Sequence, residues 1–221
     1  MGAMAGDTPS WPEGPLALPG VYTVKLTVDG TSYTQTVTVK NDPRSPASAA
    51  DVRAQHDLQI KVGDSAALAW TAYQQVAAMR AAVNGAAGAN PPADVAAAIK
   101  TFEDKLTGAG GTVGGGRRGG GPGPGANTPP PPPNFVGVNA AFLRHLETLD
   151  SGDMAPNEPM LHAYAAVCGD LRTALESWRK INDADLAALN AVLSKSGRGV
   201  TAASPLPAPV CPAAPSGRKK S

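Results

Sequence analysis

Apolar residues recur along this chain with two different periods. Between residues 21 and 40 the period is two. Tyr22, Val24, Leu26 and Val28 alternate with Thr23, Lys25 and Thr27; Tyr33, Gln35, Val37 and Val39 alternate with Thr34, Thr36 and Thr38. Such alternation puts each set on one face of a sheet. Asp29-Gly30 between the arms supplies the positive-φ residues of a tight type I′ turn. The spacing therefore predicts a β-hairpin. Two strands alone are marginal in water, so the hairpin needs a partner: the helices that follow, or strands from elsewhere.

From residue 45 onward the period becomes helical. Ser48 with Asp51 three residues later resembles a capping box. A long helix is predicted over about 50–84, with Val62, Ala69, Val76 and Val83 seven apart and Leu58, Ala66, Tyr73 and Met79 between them. That is the seam of a helix bundle. Asn84-Gly85 is a stop signal. Asn90-Pro91-Pro92 opens a second helix, whose Val95, Ile99, Phe102 and Leu106 share a face and which should end before Gly108. A third is expected over about 137–151, carrying Val138, Phe142, Leu146 and Leu149. The fourth is capped by Asn157 or a neighbour. Its Leu161, Tyr164, Cys168, Leu171, Leu175 and Trp178 step by three and four, the best seam in the chain. Asn182-Asp183 should break or kink the line before a short fifth helix with Leu186, Leu189 and Leu193.

Composition changes this picture in one respect. The chain has 221 residues with 25 Gly and 22 Pro, well above ordinary usage. Much of that sits in one stretch, 108–133, where 18 of 26 residues are Gly or Pro. Such a stretch cannot bury enough apolar surface to offset its ordering entropy. The expected organisation is a flexible segment 1–20, a hairpin 21–44, helices 1–2 over 45–107, a Gly/Pro-rich disordered linker 108–136, helices 3–5 over 137–197, and a disordered tail 198–221. The fold class is α+β, mostly α: a hairpin followed by an antiparallel four-helix-type bundle.

Charge narrows the partners. Nineteen Lys and Arg balance 18 Asp and Glu, so no strongly basic face is implied and nucleic acid is not an expected partner. Arg117-Arg118-Gly-Gly lacks the repeats and stacking aromatics of RNA-binding tracts. No apolar run approaches the length of a membrane span, and residues 1–10 lack the basic and apolar regions of a secretory signal.

Candidate chemistry is sparse. His56, His145 and His162 lie on predicted helices without a second His at helical spacing. Glu158 and His162 are four apart, whereas di-iron bundles use Glu-x-x-His twice with two further glutamates. Asp150 and Asp153, and Asp183 and Asp185, are close pairs at helix ends, where capping explains them better than sugar cleavage. There is no Gly-x-Ser-x-Gly elbow, and the Gly-rich stretch lacks the ending of a phosphate-binding loop. Cys168 sits on a seam and reads as a small packed hydrophobe; a bridge to Cys211 is sterically possible but unforced. Trp70, Tyr73, Tyr164 and Trp178 either fill the core or line an apolar pocket. No catalytic, cofactor-binding or metal-binding residue is assigned, and no cofactor is expected.

Some of these residues have a familiar order. The run Gly14-Pro-Leu-Ala-Leu-Pro-Gly-Val-Tyr-Thr-Val-Lys-Leu26 resembles the last strands of an immunoglobulin-like module, and Val37 to Arg44 continues the pattern. Leu149 to Pro156, and Leu175 to Leu193 with Trp178, Asp185-Leu186 and Leu189-Asn190, resemble the final helices of the same family. That family is the bacterial sortilin-like, BNR-repeat β-propeller proteins, often labelled glycosyl hydrolases because of their propellers. The propeller repeats, and all but two strands of the immunoglobulin-like module, are missing here. The resemblance implies a non-catalytic structural or interaction module. It would be the C-terminal part of an exported propeller protein, periplasmic or extracellular. Its partners would be upstream propeller or immunoglobulin-like domains, in the same polypeptide or another protein. The alternative it implies is an accessory region of a propeller glycosidase or peptidase whose active site lies outside this chain.

Overall fold

A computed structural model of the chain describes residues 15, 17–88, 90–112 and 131–212. It is mostly helical, with an N-terminal antiparallel hairpin followed by the helices of a bundle.

Strands β1 (Gly20–Val28) and β2 (Thr31–Val39) pair in the register Tyr22 opposite Val37, Val24 opposite Gln35 and Leu26 opposite Tyr33. Asp29 and Gly30 turn the chain with φ of 48° and 80°, as the two-residue turn requires. Residues opposite one another share a face. One face is therefore Tyr22, Val24, Leu26, Val28, Tyr33, Val37 and Val39 around Gln35. The other is Thr, Ser and Lys25 with Val21. Among the described residues no helix covers either: every strand residue except Val39 is exposed. The described helices of the bundle, one of the two partners expected for the hairpin, do not pack on it.

Helix α1 (Ala49–Ala87) is the spine of the bundle. Ser48 caps it as expected: its Oγ accepts from the Asp51 N–H at 3.2 Å while its own N–H donates to Asp51 Oδ2 at 2.9 Å. Leu58, Val62, Ala66, Ala69, Ala72, Val76, Met79 and Val83 form the buried seam. The small Ala positions let α2 (Ala93–Gly110) and α3 (Phe135–Leu149) approach closely. Both run antiparallel to α1. Arg80 reaches Thr107 of α2 at 3.0 Å, and Asn139 of α3 donates to the Ala66 carbonyl at 2.9 Å. Helix α4 (Glu158–Lys180) packs on α3, and α5 (Leu186–Leu193) returns against α2.

Several boundaries differ from expectation, each for a visible reason. Helix α1 runs past Asn84-Gly85 to Ala87 because Arg198 caps it, donating to the carbonyls of Ala86 at 3.1 Å and Ala87 at 2.6 Å. Those groups would otherwise be orphaned at a helix end. Gly88 follows with φ of 72°, and any Cβ there would stand 2.6 Å from the Arg198 guanidinium. Helix α2 continues through Gly108 to Gly110, with Ala109 buried in the core. Helix α3 begins at Phe135 rather than 137, because Asn134 caps it through the Gly137 N–H at 2.9 Å and Phe135 is fully buried. The expected linker 108–136 is thus helical at both ends, and its stretch 113–130 lies outside the described residues. Asn182-Asp183 does not break the fourth helix. A π-helical turn, Ile181–Asp185, joins α4 to α5 without interruption.

The largest difference is at the C-terminus. The expected disordered tail is, over 198–212, an extended strap laid along the bundle. Val200 is buried, and Ala203, Leu206 and Cys211 pack against the core. Residues 213–221, and most of the segment 1–20, lie outside the described residues.

Candidate functional site

The residues considered for chemistry do not converge. Glu158 and His162 are exposed in the first turns of α4. His56 lies beside Asp57 on α1, 3.8 Å away. His145 is buried on α3, stacked on Tyr164 of α4 with ring centroids 6.5 Å apart. Burial holds its pKa below the usual imidazole value. Among the described residues no three His, Cys, Asp or Glu side chains come close enough to hold a metal ion. Asp150 accepts from Gln59 Nε2 at 3.0 Å, and Asp185 pairs with Lys105 at 2.6 Å. Neither Asp faces its sequence neighbour across a cleft.

The aromatic residues divide. Trp70 and Tyr73 stack at 5.0 Å on α1, with Trp70 44% exposed and Tyr73 half-buried against the core. Tyr164 and Trp178 are buried. The four do not line one pocket. A cleft of about 680 Å³ lies instead between the end of α2, the start of α3 and the π-turn, bordered by Lys105, Asn134, Ser177 and Lys180.

Cys168 corrects the reading of a free, packed thiol. It is fully buried on α4, but bonded to Cys211 of the strap. The sulfur is both core and staple.

Sequence reasoning missed the side-chain amides. Gln55 donates to the carbonyls of Leu149 and, at 2.8 Å, Gly152, and accepts from the Met154 N–H at 3.2 Å. It thereby fixes the turn between α3 and α4. Asn190 accepts from the Val200 N–H and donates to the Val200 carbonyl, each at 2.8 Å. Asn182 accepts from the Ala203 N–H at 2.7 Å and donates to the Ala203 carbonyl at 3.0 Å. Gln75 accepts from the Trp178 indole N–H at 3.0 Å and donates to the Ser204 carbonyl at 2.9 Å. An extended segment has no ladder of its own, and its buried main-chain groups need partners; these amides supply them. The signal was present in the sequence: Asn182 continues the α4 seam four residues after Trp178, where an unpaired amide would be costly.

Two surfaces thus stand out: the uncovered apolar face of the hairpin, and the groove that holds the strap. No family model, curated protein or solved structure matches this chain.

Proposed function

We propose that this chain is a non-catalytic structural module whose hairpin completes a β-sheet domain, with the helical bundle as its cap or docking platform. The observation that carries this is the uncovered hairpin face. Leu26 and Tyr33, paired across the strands, are each 60% exposed. Tyr22, Val24, Val28 and Val37 extend the patch, and no charged side chain lies on that face. Contiguous exposed apolar surface of this kind marks an interaction site. Both outer edges also present unpaired main-chain groups, the template by which a sheet accepts another strand. The partner this chemistry fits is an antiparallel sheet with an apolar inner face, as the resemblance to an immunoglobulin-like module suggests.

The disulfide supports the export part of the reading. Such bonds persist in oxidising compartments such as the periplasm or the extracellular space. Within the bundle, Gln55, Asn139, Asn182 and Asn190 all bond main-chain groups of other segments, which supports a scaffold role.

Amide hydrogen exchange tests the proposal. In the 221-residue chain the β1 and β2 amides should exchange rapidly while the buried seam of α1 exchanges slowly. In a chain extended upstream through the open reading frame, the same strand amides should become as protected as a sandwich core. Equal exchange in the two chains, or a frame that encodes no preceding strands, would refute it.

A further inference from the structure

The strap is held as a peptide is held by a receptor. Five hydrogen bonds from three side-chain amides, on α1, the π-turn and α5, all go to main-chain groups of Val200, Ala203 and Ser204. They read an extended backbone and no particular side chain. The two residues gripped on both sides, Val200 and Ala203, are three apart, the repeat of a polyproline-type helix. Pro205, Pro207, Pro209 and Pro212 continue the segment.

The π-turn makes the grip possible. Residues eight apart on an ideal α-helix stand about 80° apart around its axis. The wider π-turn between Asn182 and Asn190 reduces that angle and brings both amides to one side. The strap does not fill its groove. A cavity of about 210 Å³ remains between Leu175, Trp178, Pro205 and Leu206. A segment with a larger side chain at that point would fit.

We propose that this groove is a binding site for extended, proline-spaced peptide. Residues 200–206 occupy it in cis, and it opens to such a segment in trans when the Cys168–Cys211 bond is reduced. Cys211 is partly exposed and Cys168 is not, so a dithiol reductant would attack at Cys211. Its first thiolate forms a mixed disulfide and its second closes the reductant's own disulfide. Two electrons and two protons pass to the protein, leaving two cysteine thiols. With the bond intact the strap is fixed at both ends and cannot leave. Once reduced, it remains at high effective concentration and is held by the amides and the packing of Val200, Ala203 and Leu206, with no covalent tie.

The test uses a fluorescein-labelled peptide of residues 199–212 carrying Cys211→Ser, which cannot form a mixed disulfide. It is titrated against the oxidised full chain and against a full-length variant with Cys211→Ser, Val200→Pro and Ala203→Pro. Each proline removes one N–H that a groove amide accepts, which weakens the occupant and leaves the groove untouched. The oxidised chain should give no saturable anisotropy change, and the variant should give one. Adding Asn182→Leu should weaken that binding about tenfold or more, because two hydrogen bonds are lost. No binding by a helical variant, or binding indifferent to Asn182→Leu, would overturn the proposal. So would loss of helical circular dichroism in the strap variant, since a groove that collapses without its strap is part of the core.

Discussion

The Cys168–Cys211 bond allows a stability effect to be worked out before it is measured. Cys211→Ser removes the bond and touches only the strap, leaving the buried Cys168 as a packed thiol. The amide contacts to Val200, Ala203 and Ser204 remain, so the folded state changes little. The unfolded state changes more, because a ring spanning a sequence separation of 43 residues is opened. In the loop-entropy model a ring of that size corresponds to about 4 kcal/mol at 25 °C. For a chain of this length each kcal/mol moves the melting temperature by about 2–4 °C, so Tm should fall by about 8–16 °C. Thermal scans by far-UV circular dichroism would compare the oxidised chain, the chain in excess dithiol and Cys211→Ser. The two treated forms should melt together, and dithiol should not shift the variant further. An unchanged Tm would refute the reasoning, since it would mean that the strap closes no ring in the folded chain.

Two further outcomes are expected. Leu171→Ala and Leu175→Ala remove side chains from the buried α4 seam and should each cost about 2–5 kcal/mol in urea unfolding; a loss below about 1 kcal/mol at both positions would mean the seam is not close-packed. His145 gives a pH dependence with a defined sign. Its folded pKa lies below the ordinary value of 6.5 because burial disfavours the charged ring, and its Nε2 is buried without a partner. The unfolded chain therefore binds this proton first as pH falls. Stability should be complete above about pH 6.5 and decline below it, until the folded imidazole itself protonates. His145→Phe should flatten that part of the profile, and an identical decline in the variant would show that other groups cause it.

The legible parts of the sequence were those in which one chain segment states its own geometry. The hairpin register follows from strict alternation around Asp29-Gly30. The α1 cap follows from Ser48 and Asp51, and the α4 seam from Tyr164 to Trp178 follows from steps of three and four; Leu161, one step earlier on the same pattern, is exposed instead, at 41%. What stayed hidden depends on residues far apart in sequence. Nothing near Gly85 indicates that Arg198 will cap α1 and carry it to Ala87. Nothing in a proline-rich tail indicates order until Asn182 and Asn190 supply the partners its backbone lacks. The π-turn was hidden for a similar reason: Asn182-Asp183 has the composition of a helix break, while the flanking Ile181 and Leu186 are buried in the core and Asn182 bonds the distant Ala203. The Cys168–Cys211 bond was legible as a possibility and no more, because both a free and a bridged cysteine suit a seam position.

The sulfur bridge also sets how the molecule would carry a mechanical load. A covalent link from Cys211 to Cys168 joins the C-terminal end directly to the middle of α4. Tension entering from that end does not travel back along the strap and through α5. It passes through the bridge into the centre of the bundle, where Cys168 is wholly enclosed. The second half of α4, the π-turn, α5 and the strap lie off the load path, shielded within a closed ring. Anything anchored beyond Cys211 would therefore pull on a fully buried layer of the protein, and the amide grip on the strap would bear none of the force while the bond holds.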